Sequence, residues 1–296
     1  MMSDLISVVI TLFTFFTFIF WMLSKYEKFY NKKNNIKKNN IKDFIGSFFY
    51  IFFIVFIIRS FIYEPFKIPS NSMFPTLITG DFILVEKFSY GIKDPIFHKN
   101  IININKPNNG DIAVFKYPKN ENIYFVKRVI GVPNDIVIYD SKKKIFFVYK
   151  KYFFKKKKYI KNIISYSEYE NKTKKENLNF FLNKNYKNFI INNNNKNFSY
   201  EEKIEYINDI NHKILLTNKK KEQTNYKNSN LYIWNIPENK YFVLGDNRDD
   251  SFDSRYWGFV PEKNFIGKVT KIFISLDNSK EKYFKKILFD RIGNVI

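Results

Sequence analysis

The chain has 296 residues, and 50 Lys+Arg against 28 Asp+Glu leave a formal charge of +22. With 45% hydrophobic and 20% aromatic residues it carries the apolar content to bury a core, which a disordered tail does not. No Cys and only two His (His98 and His212) exclude a disulfide framework and thiolate chemistry, and leave no room for a His-rich zinc site or, in most arrangements, a His-based triad.

Leu5 to Leu23 is an uncharged run of 19 residues rich in Phe, Ile, Leu and Val, close to the ~20 that cross a bilayer as a helix. Asp4 in place of a basic leader, and no small-residue cleavage pattern after it, distinguish this run from a removable signal peptide. Phe44 to Ile58 is a second apolar run, continuing past Arg59 to Tyr63, and the Arg59 stem is long enough to snorkel toward headgroups. Between them lie Lys25, Lys28, Lys32, Lys33, Lys37, Lys38 and Lys42. The positive-inside rule puts this segment in the cytoplasm and everything after Tyr63 outside. The expected order is a first transmembrane helix over 1–24, a basic cytoplasmic loop over 25–43 and a second transmembrane helix over 44–63.

From Glu64 to Asp140 short alternating runs replace the long apolar ones. Phe82-Ile-Leu-Val-Glu86, Asp111-Ile-Ala-Val-Phe-Lys116, Tyr124 to Ile130 and Ile136-Val-Ile-Tyr139 read as strands, punctuated by Gly80-Asp81, Asn109-Gly110 and Pro133-Asn134-Asp135. No amphipathic helical period interrupts them, so a mostly antiparallel β core is expected over 64–140, resuming at 232–296. Residues 141–230 hold 22 Lys against 8 acids. Aromatic runs such as Ile145-Phe-Phe-Val-Tyr149 mark strands there and Asn192 to Asn195 marks a loop, so 141–231 reads as a Lys/Asn-rich accessory insertion. Its charge reads as solvated surface or a contact for anionic lipid. Nucleic acid is not expected as a partner, because this block would lie outside the cell.

Three segments carry chemistry. Ile68-Pro-Ser-Asn-Ser-Met-Phe-Pro-Thr-Leu-Ile-Thr-Gly-Asp81 sets serines on a stiff turn between Pro69 and Pro75. A serine hydroxyl needs a base, and with His scarce the candidate is a lysine buried enough to be neutral. Lys127, within Phe125-Val-Lys-Arg-Val-Ile130, fits if its side chain faces the core, and strand alternation then turns Arg128 outward. Gly245-Asp-Asn-Arg-Asp-Asp-Ser-Phe-Asp-Ser-Arg-Tyr-Trp-Gly258 lacks the spacing of an EF-hand loop. It reads as a salt-bridged loop in which Arg248 and Arg255 pair the acids and Ser251 or Ser254 is set beside a buried lysine.

Taken in order, Pro69 to Leu77, Gly110 to Phe115, Lys127 to Pro133 and Gly245 to Gly258 resemble the motif set of bacterial signal peptidase I. The exit from the second span, Arg59 to Phe66, resembles that family too. The resemblance implies a membrane-bound serine endopeptidase of the bacterial plasma membrane, catalytic domain on the extracytoplasmic side, cleaving signal peptides from exported preproteins after Ala-x-Ala-type junctions. It implies Ser72 as nucleophile and Lys127 as general base, with Ser70 and the Ser72 amide stabilising the oxyanion. Ser251 is implied to orient the lysine, and Asp253 and Arg255 to support that loop. Phe66, Ile68, Met73, Leu77 and Val126 are implied to form shallow pockets for small side chains. No metal or cofactor is called for, and the oligomeric state is left open. Self-cleaving repressors also pair a Ser-Met-x-Pro-like turn with a lysine, but two apolar spans and the acidic loop are foreign to them. Phe252 stands where the signal peptidase I motif usually has a small residue.

Overall fold

A computed structural model describes residues 2–34, 40–94, 100–154, 157–166, 200–208, 210–217, 231–277 and 286–295. The chain divides into two compact units, one of residues 1–64 and 86–105 and one of residues 65–85 and 106–296.

The first unit is led by α1 (Met2–Asn34), α2 (Asn40–Ser47) and α3 (Phe49–Ile57), with a π-helical turn at Ile58–Ile62. Leu5–Tyr30 and Ile41–Ile62 are long and apolar enough to cross a membrane. The two helices touch through rings, Phe18 and Trp21 each 5.3 Å from Phe49. Gly46 permits the approach, since a Cβ there would lie 2.8 Å from the Trp21 Cα. Outward-facing Leu12, Phe15, Phe44 and Ile51 are exposed, as lipid-facing side chains are. The basic segment differs from the expected loop: helix continues through Asn34 and resumes at Asn40. Lys28 pairs with Asp43 at 3.0 Å and Lys42 with Glu27, so these two pairs tie one helix to the other. Residues 35–39 of that segment lie outside the described residues. Arg59, expected to snorkel, instead reaches Glu64 at 3.6 Å.

The strands, in chain order, are β1 (Tyr63–Lys67), β2 (Asp81–Glu86), β3 (Ile92–Lys93), β4 (Asn100–Ile102), β5 (Ile112–Tyr117), β6 (Asn120–Gly131), β7 (Ile136–Asp140), β8 (Ile145–Phe154), β9 (Lys157–Asn162), β10 (Ile164–Tyr166), β11 (Tyr200–Ile207), β12 (Ile210–Thr217), β13 (Leu231–Asn235), β14 (Lys240–Leu244), β15 (Val260–Pro261), β16 (Phe265–Ser275) and β17 (Gly293–Asn294). An eight-stranded sheet runs β1-β2-β16-β5-β6-β14-β15, with β17 on β16. A four-stranded sheet, β13-β7-β8-β9, and a three-stranded one, β10-β11-β12, complete the second unit. β7 pairs antiparallel with β8 and β13, β5 with β6 and β16, and β6 with β14, so the mostly antiparallel β domain after two apolar helices is as expected.

Two apolar clusters hold it. One joins Ile68, Met73 and Leu77 to Ile83, Val85, Val114 and Val269. The other joins Val137, Phe146, Val148, Ile164 and Ile207 to Phe242 and Leu244. The second cluster spans the sequence boundaries drawn at 140 and 232, because β7 pairs with both β8 and β13. From the 141–231 segment, Phe146 and Val148 of β8, Ile164 of β10 and Ile207 of β11 are thus built into the same core as β14. The segment's Asn192–Asn195 run, like His98, lies outside the described residues.

Candidate active site

The turn after β1 is closed by its own polar groups. The Asn71 side chain accepts from the Thr79 amide at 2.8 Å and hydroxyl at 2.9 Å, while the Ile68 amide donates to the Asp81 carbonyl at 2.8 Å. Ser72 sits half-buried at its tip. β6 brings Lys127 opposite Ala113 of β5, a residue small enough to leave the long side chain room. Lys127 is 4% exposed, and its Nζ donates a hydrogen bond to the Ser72 Oγ. Burial lowers the Lys127 pKa to about 8; the Asp253 and Asp246 charges oppose that fall and the Arg255 charge adds to it.

Arg128 does not face solvent as strand alternation suggested: it is 1% exposed. Alternation holds, but the sheet is covered on both sides. The Arg128 guanidinium is satisfied by Asp246, Nε to Oδ1 at 2.9 Å and Nη2 to Oδ2 at 2.8 Å, and by the Gly110 carbonyl. Burial pushes the Asp246 carboxyl up, but Arg128 overcomes this and holds it below the usual range. Thr76 also donates to Asp246, joining the serine turn to the acidic loop.

In that loop Asp253 caps the short helix α4 (Ser254–Trp257). Its carboxylate accepts from Arg255 Nε at 2.8 Å and from the Gly245 amide at 3.1 Å. Burial again acts upward on Asp253, and the Arg255 charge wins. Arg248 does not pair within the loop; it reaches Glu205 of β11. Ser254 accepts from the Val243 amide at 2.9 Å, anchoring the loop to β14. Ser251 is buried, and its Oγ has no hydrogen-bond partner among the described residues. It stands behind Gly245, where a Cβ would run into both the Ser251 hydroxyl and the Ser72 carbonyl. Ser70 is exposed, its Oγ 3.5 Å from the Ser72 Oγ.

A cleft of about 740 Å³ opens above the pair, and Ile68, Met73 and Val126 line it together with Ser70, Ser72 and Lys127. Phe66 stands on Tyr124 at 5.6 Å, and Leu77 is fully buried in the core beneath; neither lines the cleft. Residues that sequence reasoning passed over do line it, namely Tyr200, Leu215, Asn247 and Asp250, and so does Phe252. Asn247 donates its amide to the Ser72 carbonyl at 3.1 Å and its Nδ2 to the Asn71 carbonyl at 3.2 Å. Its neighbours in the acidic motif were the available signal. Among the described residues no group of three or more His, Cys, Asp or Glu side chains is placed to hold a metal ion.

A serine hydroxyl hydrogen-bonded to a buried lysine amine lines an open cleft, an arrangement that can supply the base a serine nucleophile needs. Residues 41–274 match the family model described as signal peptidase, peptidase S26. A signal peptidase I of Buchnera aphidicola subsp. Acyrthosiphon pisum is 46% identical over 243 residues, covering 81% of this chain and 77% of that one. One from Buchnera aphidicola subsp. Schizaphis graminum is 46% identical over 247 residues with the same coverage, and one from Pseudomonas fluorescens is 35% identical over 247 residues, covering 80% and 73%. The chain belongs to the signal peptidase family, peptidase S26, a family of serine endopeptidases.

Proposed function

We propose that the protein is a membrane-bound endopeptidase that removes N-terminal signal peptides from exported preproteins, with Ser72 as nucleophile and Lys127 as general base. The hydrogen bond between the Lys127 amine and the Ser72 hydroxyl carries the reading. With a pKa of about 8, a useful fraction of Lys127 is neutral near neutrality. The neutral amine takes the Ser72 proton as Oγ bonds to the scissile carbonyl carbon. The ammonium then gives that proton to the departing amine as the C–N bond breaks. Water, deprotonated by the same amine, hydrolyses the ester and frees Ser72. Ser70, which lines the cleft beside Ser72, and the Ser72 amide are the donors assigned to the oxyanion, and each such donor is worth about 10²–10³ in kcat.

Ile68, Met73 and Val126 favour small side chains before the cleaved bond, hence Ala-x-Ala-type junctions. The two apolar helices support a two-span anchor in the plasma membrane, and the lysines of 25–43 support a cytoplasmic location for that segment, with the β domain outside. Anionic phospholipid suits the remaining basic surface. The test is cleavage of a preprotein with an Ala-x-Ala junction by detergent-solubilised protein. Ser72→Ala and Lys127→Ala should each abolish turnover, and the double variant should be no worse, because the two act as one unit. Turnover retained in either single variant would refute the pair.

A further inference from the structure

The β11–β12 hairpin, read from sequence as accessory, holds the acidic loop at three points. Arg248 is clamped by Glu205 of β11, Nη1 to Oε1 at 2.9 Å and Nη2 on Oε2, with both side chains buried and the guanidinium over the Phe146 ring. The Leu215 amide of β12 donates to the Asp246 carbonyl at 2.9 Å, and Leu215 and Asn247 form a short parallel bridge. The Thr217 amide donates to Asp249 Oδ2 at 2.7 Å, and Lys144 reaches the same oxygen at 2.9 Å. The loop passes this restraint on, since Asn247 between those points grips the carbonyls of Asn71 and Ser72. A buried carboxylate is retained only when paired. Glu205 is paired with Arg248, and the Nε2 of His212 on β12 lies 3.0 Å from its carboxylate.

We propose that Glu205 is a positioning residue for peptide-bond cleavage: by clamping Arg248 it fixes residues 246–249, and through Asn247 it fixes the Ser72 main chain against Lys127. Attack geometry tolerates little error, and a displacement of about 1 Å costs roughly a hundredfold in rate. A clamp on the loop is therefore a clamp on kcat. The same hairpin presents Tyr200 and Leu215 to the cleft, so it borders the substrate as well.

The inference rests on Ser72 as nucleophile, and the experiment separates the two. Full-length protein in detergent is assayed on the preprotein, at a temperature where circular dichroism shows every variant folded. Glu205→Gln should lower kcat about 10–100-fold with KM within about twofold, because it disturbs the reacting atoms rather than the side-chain pockets. The acid limb of its rate profile should stay where the wild type has it, since neither Glu205 nor Arg248 is among the charges that set the Lys127 pKa. Glu205→Asp, which restores the charge, should recover part of kcat. If Glu205→Gln does not fold, the pair Glu205→Met with Arg248→Met replaces a buried ion pair by apolar contact, an exchange that commonly preserves stability, and its kcat should fall alike. Wild-type kcat in a folded Glu205→Gln protein, or in the folded double variant, overturns the proposal. Ser72→Ala run alongside tells the cases apart: an inactive Ser72→Ala beside fully active Glu205 variants refutes only the clamp, whereas an active Ser72→Ala removes the reading beneath it.

Discussion

The Lys127 pKa sets the pH dependence of cleavage and offers a perturbation with a definite sign. At a pKa of about 8, roughly a tenth of the enzyme holds a neutral lysine at pH 7, about half at pH 8 and about nine-tenths at pH 9. The kcat/KM for a preprotein should therefore rise about fivefold from pH 7 to 8 and about tenfold from pH 7 to 9, then level off. Replacing Asp253 by Asn tests the cause. Asp253 is the largest charge acting to raise the Lys127 pKa, and its loss leaves Arg255 buried and uncompensated, which lowers that pKa further. Both changes act in one direction, so the acid limb should move to lower pH. The plateau should drop, because Asp253 also holds the Gly245 amide. Initial rates of preprotein cleavage at constant ionic strength, with thermal denaturation as a check on folding, give both quantities. A limb that stays put or moves to higher pH in Asp253→Asn would refute the electrostatic account of Lys127.

The same shift bears on stability. Folded Lys127 binds its proton less tightly than the unfolded chain's lysine, so its cost, about 3 kcal/mol, is fully present below pH 8 and relieved as pH rises toward 10.5; Lys127→Met should raise Tm at pH 7 while abolishing cleavage, and an unchanged or lower Tm would count against that burial cost. Gly245→Ala should cut kcat at least tenfold, as its Cβ must displace the Ser72 carbonyl or the Ser251 hydroxyl; kinetics at a temperature where the variant is folded will show it. Arg128→Met should destabilise by about 3–5 kcal/mol by stranding Asp246, and adding Asp246→Leu should recover much of the loss, measured by denaturant unfolding. A reporter fused after Ile296 that works only outside the cytoplasm should be active; activity from a cytoplasm-only reporter would reverse the orientation.

Local information was enough for much of this structure. The two apolar helices and the strands over 81–86, 112–117, 120–131 and 136–140 follow from runs and spacings within a dozen residues. The meeting of Ser72 with Lys127, 55 positions apart, came from a resemblance between ordered motifs rather than from periodicity. Arg128 was misread because its partner, Asp246, is 118 positions away, and alternation says which face a side chain takes but not whether that face is covered. Leu77 and Phe66, assigned to the pockets through the resemblance, pack in or against the core and do not line the cleft, since a motif match does not tell a cleft wall from the core beneath it. The hairpin carrying Glu205 was hidden by composition, since a Lys-rich block reads as solvated surface even where one acid and one histidine within it are buried.

Those buried acids share a logic that bears on the reaction. Lys127 loses its proton easily because desolvation outweighs every attraction to nearby carboxylates. That balance is fragile, as an unmatched buried carboxylate within a few ångströms would restore the ammonium form. Three buried acids around the site are instead each tied to an arginine: Asp253 to Arg255, Asp246 to Arg128, Glu205 to Arg248. The acids supply directional bonds that shape the loop and grip the serine turn, and the Arg255 charge offsets part of their pull on the Lys127 proton. A loop of neutral side chains would leave Lys127 as free of protons but with fewer strong anchors, and a loop of acids alone would anchor the turn and disable the base. Paired charges satisfy both demands, which explains why a site whose chemistry needs a neutral amine is surrounded by ions.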